Sequence, residues 1–177
     1  MPSKTSALRE ELKQTRPFHS PAHEALLSVV RTAAVVQRLM AQVVEPSGIT
    51  LQQYNVLRIL RGAGTAGLPT LAIRDRMIEE AAGITRLLDK LDAAGFVLRE
   101  RSTPDRRQVL CQITPSGLAL LAALDAPIDA TTDAAFATLD VAESATLIDL
   151  LGAVRAACRV DSSPVAQGAS RAGQPPR

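Results

Sequence analysis

The fold is decided by residues 78–113, which read IEEAAGITRLLDKLDAAGFVLRERSTPDRRQVLCQI. Four apolar residues recur there at spacings of three and four: Ile84, Leu87, Leu88 and Leu91. This periodicity predicts an amphipathic helix over residues 81–94, and Gly95 stands where a left-handed residue ends such a helix. Residues 96–113 then form two extended runs around turn chemistry at 103–105. A helix followed by an arginine-tipped β-hairpin is the shape of a winged nucleic-acid reader.

Two helices are predicted directly before this stretch. Thr50 and Gln53 have the spacing of a capping box and start a helix that stops at Gly62. A short helix over residues 68–77 follows, and its inward-facing residues are expected to be Leu71, Ala72 and Met77. A short helix, a turn and a longer helix stand in helix-turn-helix order, and the hairpin adds the wing.

Composition and cap signals divide the chain into five segments. They are a flexible arm or frayed helix at residues 1–19, a helix at 20–48, the winged domain at 49–114, two helices at 115–160 and a disordered tail at 161–177. Three signals start helices outside the winged domain: Ser20 before Pro21, Thr114 before Pro115, and Asp140 with Glu143. Pro127 predicts a kink or break in the helix after Thr114. The helix at 20–48 carries more apolar surface than one small domain would cover, which indicates a partner.

The composition bounds the class of protein. Hydrophobic residues make up 46% of the 177, and Trp is absent. The core must therefore be built from aliphatic residues, which favours a mainly α fold. Two cysteines and the lack of a signal peptide predict a cytoplasmic protein. No uninterrupted apolar run approaches the roughly 18 residues that cross a bilayer, so we expect no membrane span. No catalytic triad, phosphate loop or metal cluster stands out, so we predict neither an enzyme nor a cofactor.

Charge is distributed unevenly along the chain. The formal net charge is only +2, but residues 55–110 hold ten Lys/Arg against seven Asp/Glu. Residues 111–158 hold one Lys/Arg against six Asp/Glu. A basic middle followed by an acidic segment suits a protein that offers one face to a polyanion.

With these pieces in order, residues 22–158 resemble the MarR family of bacterial transcription regulators. The resemblance is carried by ITLQQYNVLRIL at 49–60, GITRLLDKLDAAGFV at 83–97 and PDRRQVLCQITPSG at 104–117. It implies a winged helix-turn-helix domain and a homodimer whose interface is formed by the terminal helices. It also implies binding of double-stranded DNA at a pseudo-palindromic operator, most often as a repressor. A small phenolic or other aromatic effector would release the DNA.

The predicted reading helix supplies three candidate DNA contacts. Arg86 is placed for a bidentate contact to guanine, unless it pairs with Asp89 on a solvated face. Thr85 would touch a phosphate or a thymine methyl, or be merely exposed, and Lys90 is a further contact. Many members of the family begin this helix with Ser-Arg-Pro-Thr, whereas here Glu79 begins the run Glu-Glu-Ala-Ala-Gly. Acidic residues there would interact favourably with the helix dipole but would be repelled by DNA phosphates. The expected DNA contacts therefore move to Arg86 and the wing.

The wing supplies the other candidates. The resemblance implies that Asp105 stiffens the turn by pairing with Arg107, and that Arg106 or Arg107 enters the minor groove. Further basic residues would contact phosphates or be ordinary surface charges: Arg74, Arg76, Arg99 and Arg101.

An effector pocket is expected between the first helix, the helix that starts at Thr50 and the DNA-binding lobe, near Arg31, Arg38 and Tyr54. Two alternatives stay open. One is a thiol-based sensor that uses Cys111 or Cys158, although Cys111 alternates inward on its strand. The other is a protein-interaction module that kept the fold without DNA binding. His19 and His23 are four residues apart but lack a third metal ligand nearby.

Overall fold

The computed structural model describes residues 7–79, 83–101 and 109–160. Seven helices and three strands follow in the order α1 (Ala7–Glu11), α2 (Pro21–Val44), α3 (Leu51–Ala63), β1 (Leu68–Pro69), α4 (Thr70–Arg74), α5 (Ile84–Ala93), β2 (Val97–Arg101), β3 (Val109–Ile113), α6 (Pro115–Phe136) and α7 (Val141–Val160). Single 3-10 turns at Glu45–Ser47 and Gly64–Ala66 follow α2 and α3. The chain forms two compact units, Met1–Ala134 and Ala135–Arg177. The first holds the helix-turn-helix and its hairpin, and the second holds α7.

Helix starts lie where the cap signals predict them. The Ser20 side chain accepts a hydrogen bond from the His23 backbone N–H at the start of α2. Thr50 and Gln53 form both bonds of a capping box, at 3.2 and 2.9 Å. Two more predicted starts are formed in the same way: Thr114 at α6, and Asp140 with Glu143 at α7. Each cap satisfies backbone donors that a helix leaves unpaired at its first turn, so local sequence fixes these boundaries.

The sheet has the order β1-β3-β2 and is antiparallel throughout. Its hairpin aligns Val97 with Ile113 and Arg99 with Cys111. Gly95, with φ +74°, provides the left-handed turn from α5 into β2. β1 was not predicted, because its two residues are too few to show an alternating pattern. It adds Leu68 beside Cys111 and ties the start of α4 to the wing.

A single aliphatic core holds the winged domain together. Its largest fully buried side chains come from α3, α4, α5 and α6: Leu57, Leu60, Ile73, Leu88, Leu91 and Leu121. Ile84 on α5 and Val97 on β2 join the same cluster. The predicted reading helix, α5, is therefore fixed by one apolar face, and its opposite face is left to solvent.

Four sequence predictions need correction. α5 begins at Ile84 rather than at residue 81, since Gly83 has a non-helical backbone and residues 80–82 lie outside the described part of the chain. α3 continues past Gly62 to Ala63. α4 ends at Arg74, and Leu71, expected to face inward, is 61% exposed while Ile73 is buried. α6 passes through Pro127 without a break.

The first long helix bears on the expectation that the chain has no membrane span. Residues Pro21–Ser47 are long and apolar enough, by length and composition alone, to cross a membrane. Arg31 and Arg38 lie within this segment, but its mean hydropathy is still high enough for a span. An apolar helix that pairs with another protein chain can have the same length and composition, so this is weak evidence for a span.

Gly117 tests how closely the start of α6 packs on the hairpin, at Phe96 just before β2 and at Ile113 in β3. A methyl group there would lie 2.5 Å from the Phe96 carbonyl oxygen and 2.8 Å from Ile113 Cγ1. We expect Gly117→Ala to lower the free energy of unfolding by about 1–3 kcal/mol in a denaturant titration. Gly62→Ala is the matched control, since it meets nothing within 4 Å in α3 and should stabilise by about 0.5–1 kcal/mol. Equal effects would contradict this packing.

Candidate nucleic-acid interface

The outer face of α5 presents the three polar residues named as candidate contacts. Thr85, Arg86 and Lys90 are exposed, while Leu88 and Leu91 on the opposite face are buried. Within the described residues, neither Arg86 nor Lys90 forms an ion pair. The alternative in which Arg86 pairs with Asp89 is not what the structure shows, because Asp89 is taken by Arg99. Two unpaired cations thus stand on one helix face that the core holds outward.

Arg99 has a different environment from the other candidates. Its guanidinium on β2 donates to the Asp89 carboxylate on α5. Its side chain is only 19% exposed, and its buried Nε has no partner among the described residues. Arg99 therefore joins the wing strand to the reading helix, and its charge is already used within the protein.

The remaining basic candidates lie around this face. Arg74 pairs with its neighbour Asp75 at 3.2 Å on the surface, which leaves it free to exchange partners. Arg76 and Arg101 are exposed. Hairpin pairing is described as far as Arg101 opposite Val109. The predicted wing-tip residues Asp105, Arg106 and Arg107 lie outside the described residues.

Beside the segment that precedes α5 lies a cavity of about 610 Å³. Its walls come from α2, α3, the segment before α5, and α6. The predicted residues Arg38 and Tyr54 line it, together with Arg58, Gln37, Gln52, Glu79, Asn55 and Thr132 and an apolar group that includes Ala34, Val36, Met40, Ala41, Leu51, Met77, Ile78 and Ile128. Arg31, the third predicted residue, instead pairs with Glu11 of α1 at 2.6 Å. Mostly apolar walls with a few convergent polar groups are typical of small-molecule sites.

Glu79 does not cap the reading helix. Its two carboxylate oxygens accept hydrogen bonds from Gln37 on α2 and, at 3.2 Å, from Gln52 on α3. The residue before α5 is Gly83, which provides no side-chain cap. The predicted placement of Glu79 at the helix entrance is therefore wrong, and its charge is bound at the cavity wall. Glu80 lies outside the described residues.

Tyr54 forms a buried part of the cavity wall. It is 6% exposed, and the Arg58 guanidinium carbon lies 5.9 Å from its ring centroid, in range of a cation–π contact. Burial raises the pKa of the Tyr54 phenol, and Arg58 opposes that shift. Tyr54 thus contributes an almost fully buried phenol to the cavity wall.

This environment can be measured, because Tyr54 is the chain's single tyrosine and Trp is absent. Since the pKa of Tyr54 is raised above its ordinary 10.0, phenolate absorbance should appear at higher pH in the folded protein than in denaturant. The neutral phenol stabilises the fold below the unfolded pKa, and this contribution is lost as pH rises through the folded pKa. Coincident titrations would contradict the burial. Tyr54→Phe should abolish the signal.

An ion pair connects two of the helices that line the cavity. Arg61 on α3 donates two hydrogen bonds to Asp125 on α6, at 3.0 and 2.8 Å. The Arg61 hydrogen bonds hold the pKa of the Asp125 carboxyl below its usual range. Both hydrogen bonds come from Nη1, so one guanidinium nitrogen contacts both carboxylate oxygens and links α3 to α6.

The two cysteines and the two histidines are the remaining candidates for a site. Cys111 is fully buried, and burial raises the pKa of its thiol, which keeps it protonated and disfavours a thiolate switch. Cys158 is exposed on α7. The rings of His19 and His23 lie 4.2 Å apart. Within the described parts of the chain, His, Cys, Asp and Glu form no group of three able to hold a metal.

Several cavity residues are not predicted from the sequence, although their spacing on two helices indicates some of them. On α2, Ala34, Gln37, Arg38 and Ala41 recur at spacings of three and four, as do Leu51, Tyr54, Asn55 and Arg58 on α3. Two facing stripes that mix apolar and polar residues indicate a lined space rather than a dry core. No comparable signal marks Glu79, because its partners are 42 and 27 positions away.

The sequence and the structure are both similar to known regulators. A model of the MarR family matches residues 49–109. A crystal structure of a MarR transcription factor from Planctomyces limnophilus is 36% identical, and the match covers 77% of this chain and 98% of that one with a TM-score of 0.60.

Two further proteins match most of their own length. The HTH-type transcriptional regulator FarR from Neisseria gonorrhoeae is 29% identical over 135 residues, which are 76% of this chain and 91% of that protein. The PcaV transcriptional regulator from Streptomyces coelicolor was solved in complex with its natural ligand. It is 25% identical with a TM-score of 0.66, and the match covers 79% of this chain and 94% of that one.

Proposed function

Because the chain belongs to the MarR family of transcriptional regulators, we propose that it binds operator DNA as a homodimer and represses transcription until a small aromatic effector fills the cavity. The observation that carries the proposal is the outer face of α5. Its exposed cations, Arg86 and Lys90, stand opposite a buried apolar face that anchors the helix. An α-helix held in this way fits the major groove, where an arginine can bind guanine through two hydrogen bonds.

The wing complements this contact. β2 and β3 continue from the core towards the predicted tip at Asp105, Arg106 and Arg107. An arginine at that tip would enter a narrow minor groove, whose negative potential attracts cations. Arg101, Arg74 and Arg76 would contact phosphates, and these contacts set affinity and register rather than sequence preference.

The terminal helices support a dimer. Only Val44 is buried among the 24 residues of α2, and four of its large apolar residues are exposed: Leu26, Val29, Val30 and Val35. α7 likewise exposes Val141, Ile148, Leu150 and Val154. Apolar surfaces of this extent indicate contact with another chain, and a second copy is the partner we propose. Two reading helices separated by about one DNA turn, roughly 34 Å, would then occupy two half-sites.

The cavity supports control by a small molecule. Its volume of about 610 Å³ lies within the range of roughly 300–1,000 Å³ that holds drug-sized ligands. Arg38 and Arg58 would bind an acidic group, and Tyr54 would stack on an aromatic ring or donate its hydroxyl. PcaV, which shares this fold, was crystallised with its natural ligand.

Salt-dependent DNA binding tests the proposal. DNA from upstream of the protein's own gene should shift in a gel as a dimer complex. The affinity should fall steeply with salt, because each neutralised phosphate contributes a slope of about −0.9 in log K against log salt. A random duplex of equal length is the control and should bind more weakly. Weak binding that is insensitive to both salt and sequence would sink the DNA-binding proposal and favour a protein-interaction module.

A further inference from the structure

Glu79 occupies an unusual position between the cavity and the reading helix. It stands five positions before Ile84, where α5 begins, and it also lines the cavity. Its carboxylate is held by Gln37 of α2 and Gln52 of α3. We propose that Glu79 is a latch that positions the reading helix, and that an anionic effector releases it by competing for Gln37 and Gln52.

The two hydrogen bonds connect three elements of the first unit. Gln37 lies in the long helix α2, and Gln52 lies in the first turn of α3. The segment that carries Glu79 follows α4, so its position influences where α5 begins. Met77 packs partly against the core, whereas Ile78 is 81% exposed. Beyond Met77, the hydrogen bonds of Glu79 are therefore the described contacts that hold this segment to α2 and α3.

The latch is open to competition because it lies at the cavity surface. Glu79, Gln37 and Gln52 all line the cavity. Hydrogen bonds at an exposed carboxylate exchange readily with other acceptors, unlike bonds sealed in a core. A molecule that enters the cavity with its own acceptor group can therefore take either glutamine amide without unfolding any element.

Charge indicates which molecules would compete best. Among the described residues that line the cavity, three are charged: Arg38, Arg58 and Glu79. A carboxylate would be attracted by the two arginines, would accept from the same amides as Glu79, and would repel the Glu79 carboxylate. All three effects act against the latch. The effector would thus be a small, largely apolar carboxylate. Its effect on operator binding rests on the proposed regulatory function.

Release would change the approach of the reading helix and leave it folded. Leu88 and Leu91 keep α5 anchored in the core whatever the state of Glu79. The lead-in segment would sample several positions, and fewer of them would place Arg86 correctly in the groove. The apparent affinity for the operator is the intrinsic affinity multiplied by the fraction of molecules in the competent arrangement, so it falls as that fraction falls.

Hydrogen exchange tests the latch without any effector. In Glu79→Ala, the hydrogen-bonded amides of Met77 and Leu87, on either side of the latch, should exchange about tenfold faster than in the wild type. The double variant Gln37→Ala/Gln52→Ala should reproduce the effect. Glu45→Ala is the matched control, since it removes an exposed carboxylate just after α2 and should change nothing in this segment. Wild-type exchange rates in Glu79→Ala would overturn the latch.

Benzoate then serves as the probe for competition. Binding is followed by Tyr54 fluorescence, which reports the cavity because the chain has one Tyr and no Trp. Benzoate should weaken operator binding of the wild type about tenfold, and that of Glu79→Ala less than about twofold while still occupying the cavity. An equal benzoate effect in both proteins would also overturn the latch. If benzoate leaves Tyr54 unchanged in both, the carboxylate effector is wrong, and hydrogen exchange still decides the latch.

Discussion

Arg86→Ala should weaken operator binding by about 5- to 150-fold, which corresponds to the roughly 1–3 kcal/mol of one bidentate arginine–guanine contact. The expectation rests on an exposed guanidinium that forms no ion pair within the described residues, on a helix whose other face is buried. Because Arg86 is exposed on the face of α5 opposite the core, the thermal stability and the dimer should be unchanged. The measurement is fluorescence anisotropy with a labelled operator at fixed salt.

Two further variants separate base reading from charge. Lys90→Ala should weaken binding to all duplexes alike and reduce the salt slope by about one unit, as expected of a phosphate contact. Arg16→Ala removes an exposed arginine from the segment before α2 and should leave operator binding at the wild-type value. If Arg86→Ala binds as tightly as Arg16→Ala, then α5 does not read the operator through this residue.

Leu88→Ala should lower the free energy of unfolding by about 2–5 kcal/mol, the range for removing a fully buried leucine. Leu88 lies two positions from Arg86 but on the opposite face of α5, where it packs into the aliphatic core. The loss should be measured by denaturant unfolding at one protein concentration, since dimerisation makes apparent stability depend on concentration. The lost core contacts should lower the denaturation midpoint and leave its slope unchanged.

Leu87→Ala is the matched control for Leu88→Ala. Leu87 is only partly buried at the edge of the same cluster, so the loss of stability should be clearly smaller. A Leu88→Ala protein as stable as Leu87→Ala would show that α5 is not anchored as described. The pair also checks the reading face, because neither change touches Arg86 or Lys90.

Much of the fold could be predicted because its determinants are local. Capping side chains act within three residues of the bonds they form, as at Thr50 and Gln53. The apolar face of α5 repeats every three to four residues, and Gly95 marks its end by a conformation that other residues rarely adopt. Signals of this kind are complete within a short stretch, so a single sequence suffices to read them.

The remaining features depend on distant partners. Leu71 and Ile73 are both apolar and two positions apart, and only the tertiary fold decides that Ile73 is the one buried. The expected role of Glu79 followed from its neighbours in sequence, whereas its actual partners lie on α2 and α3. Arg99 is predicted to contact a phosphate because its partner Asp89 lies on another element, ten positions away in the sequence. From the sequence alone, a charged side chain is predicted to face solvent or DNA. That prediction fails where the fold brings an oppositely charged group close to it.

The ion pair between Arg99 and Asp89 has a consequence for how such a regulator changes its target. It fastens β2, which leads to the wing, onto α5, the helix that we propose enters the major groove. A substitution that tilts α5 to suit a new base sequence would therefore also move the wing relative to the minor groove. The two grooves would be sampled as a coupled pair during evolution, and new operators would be gained by concerted changes in both elements.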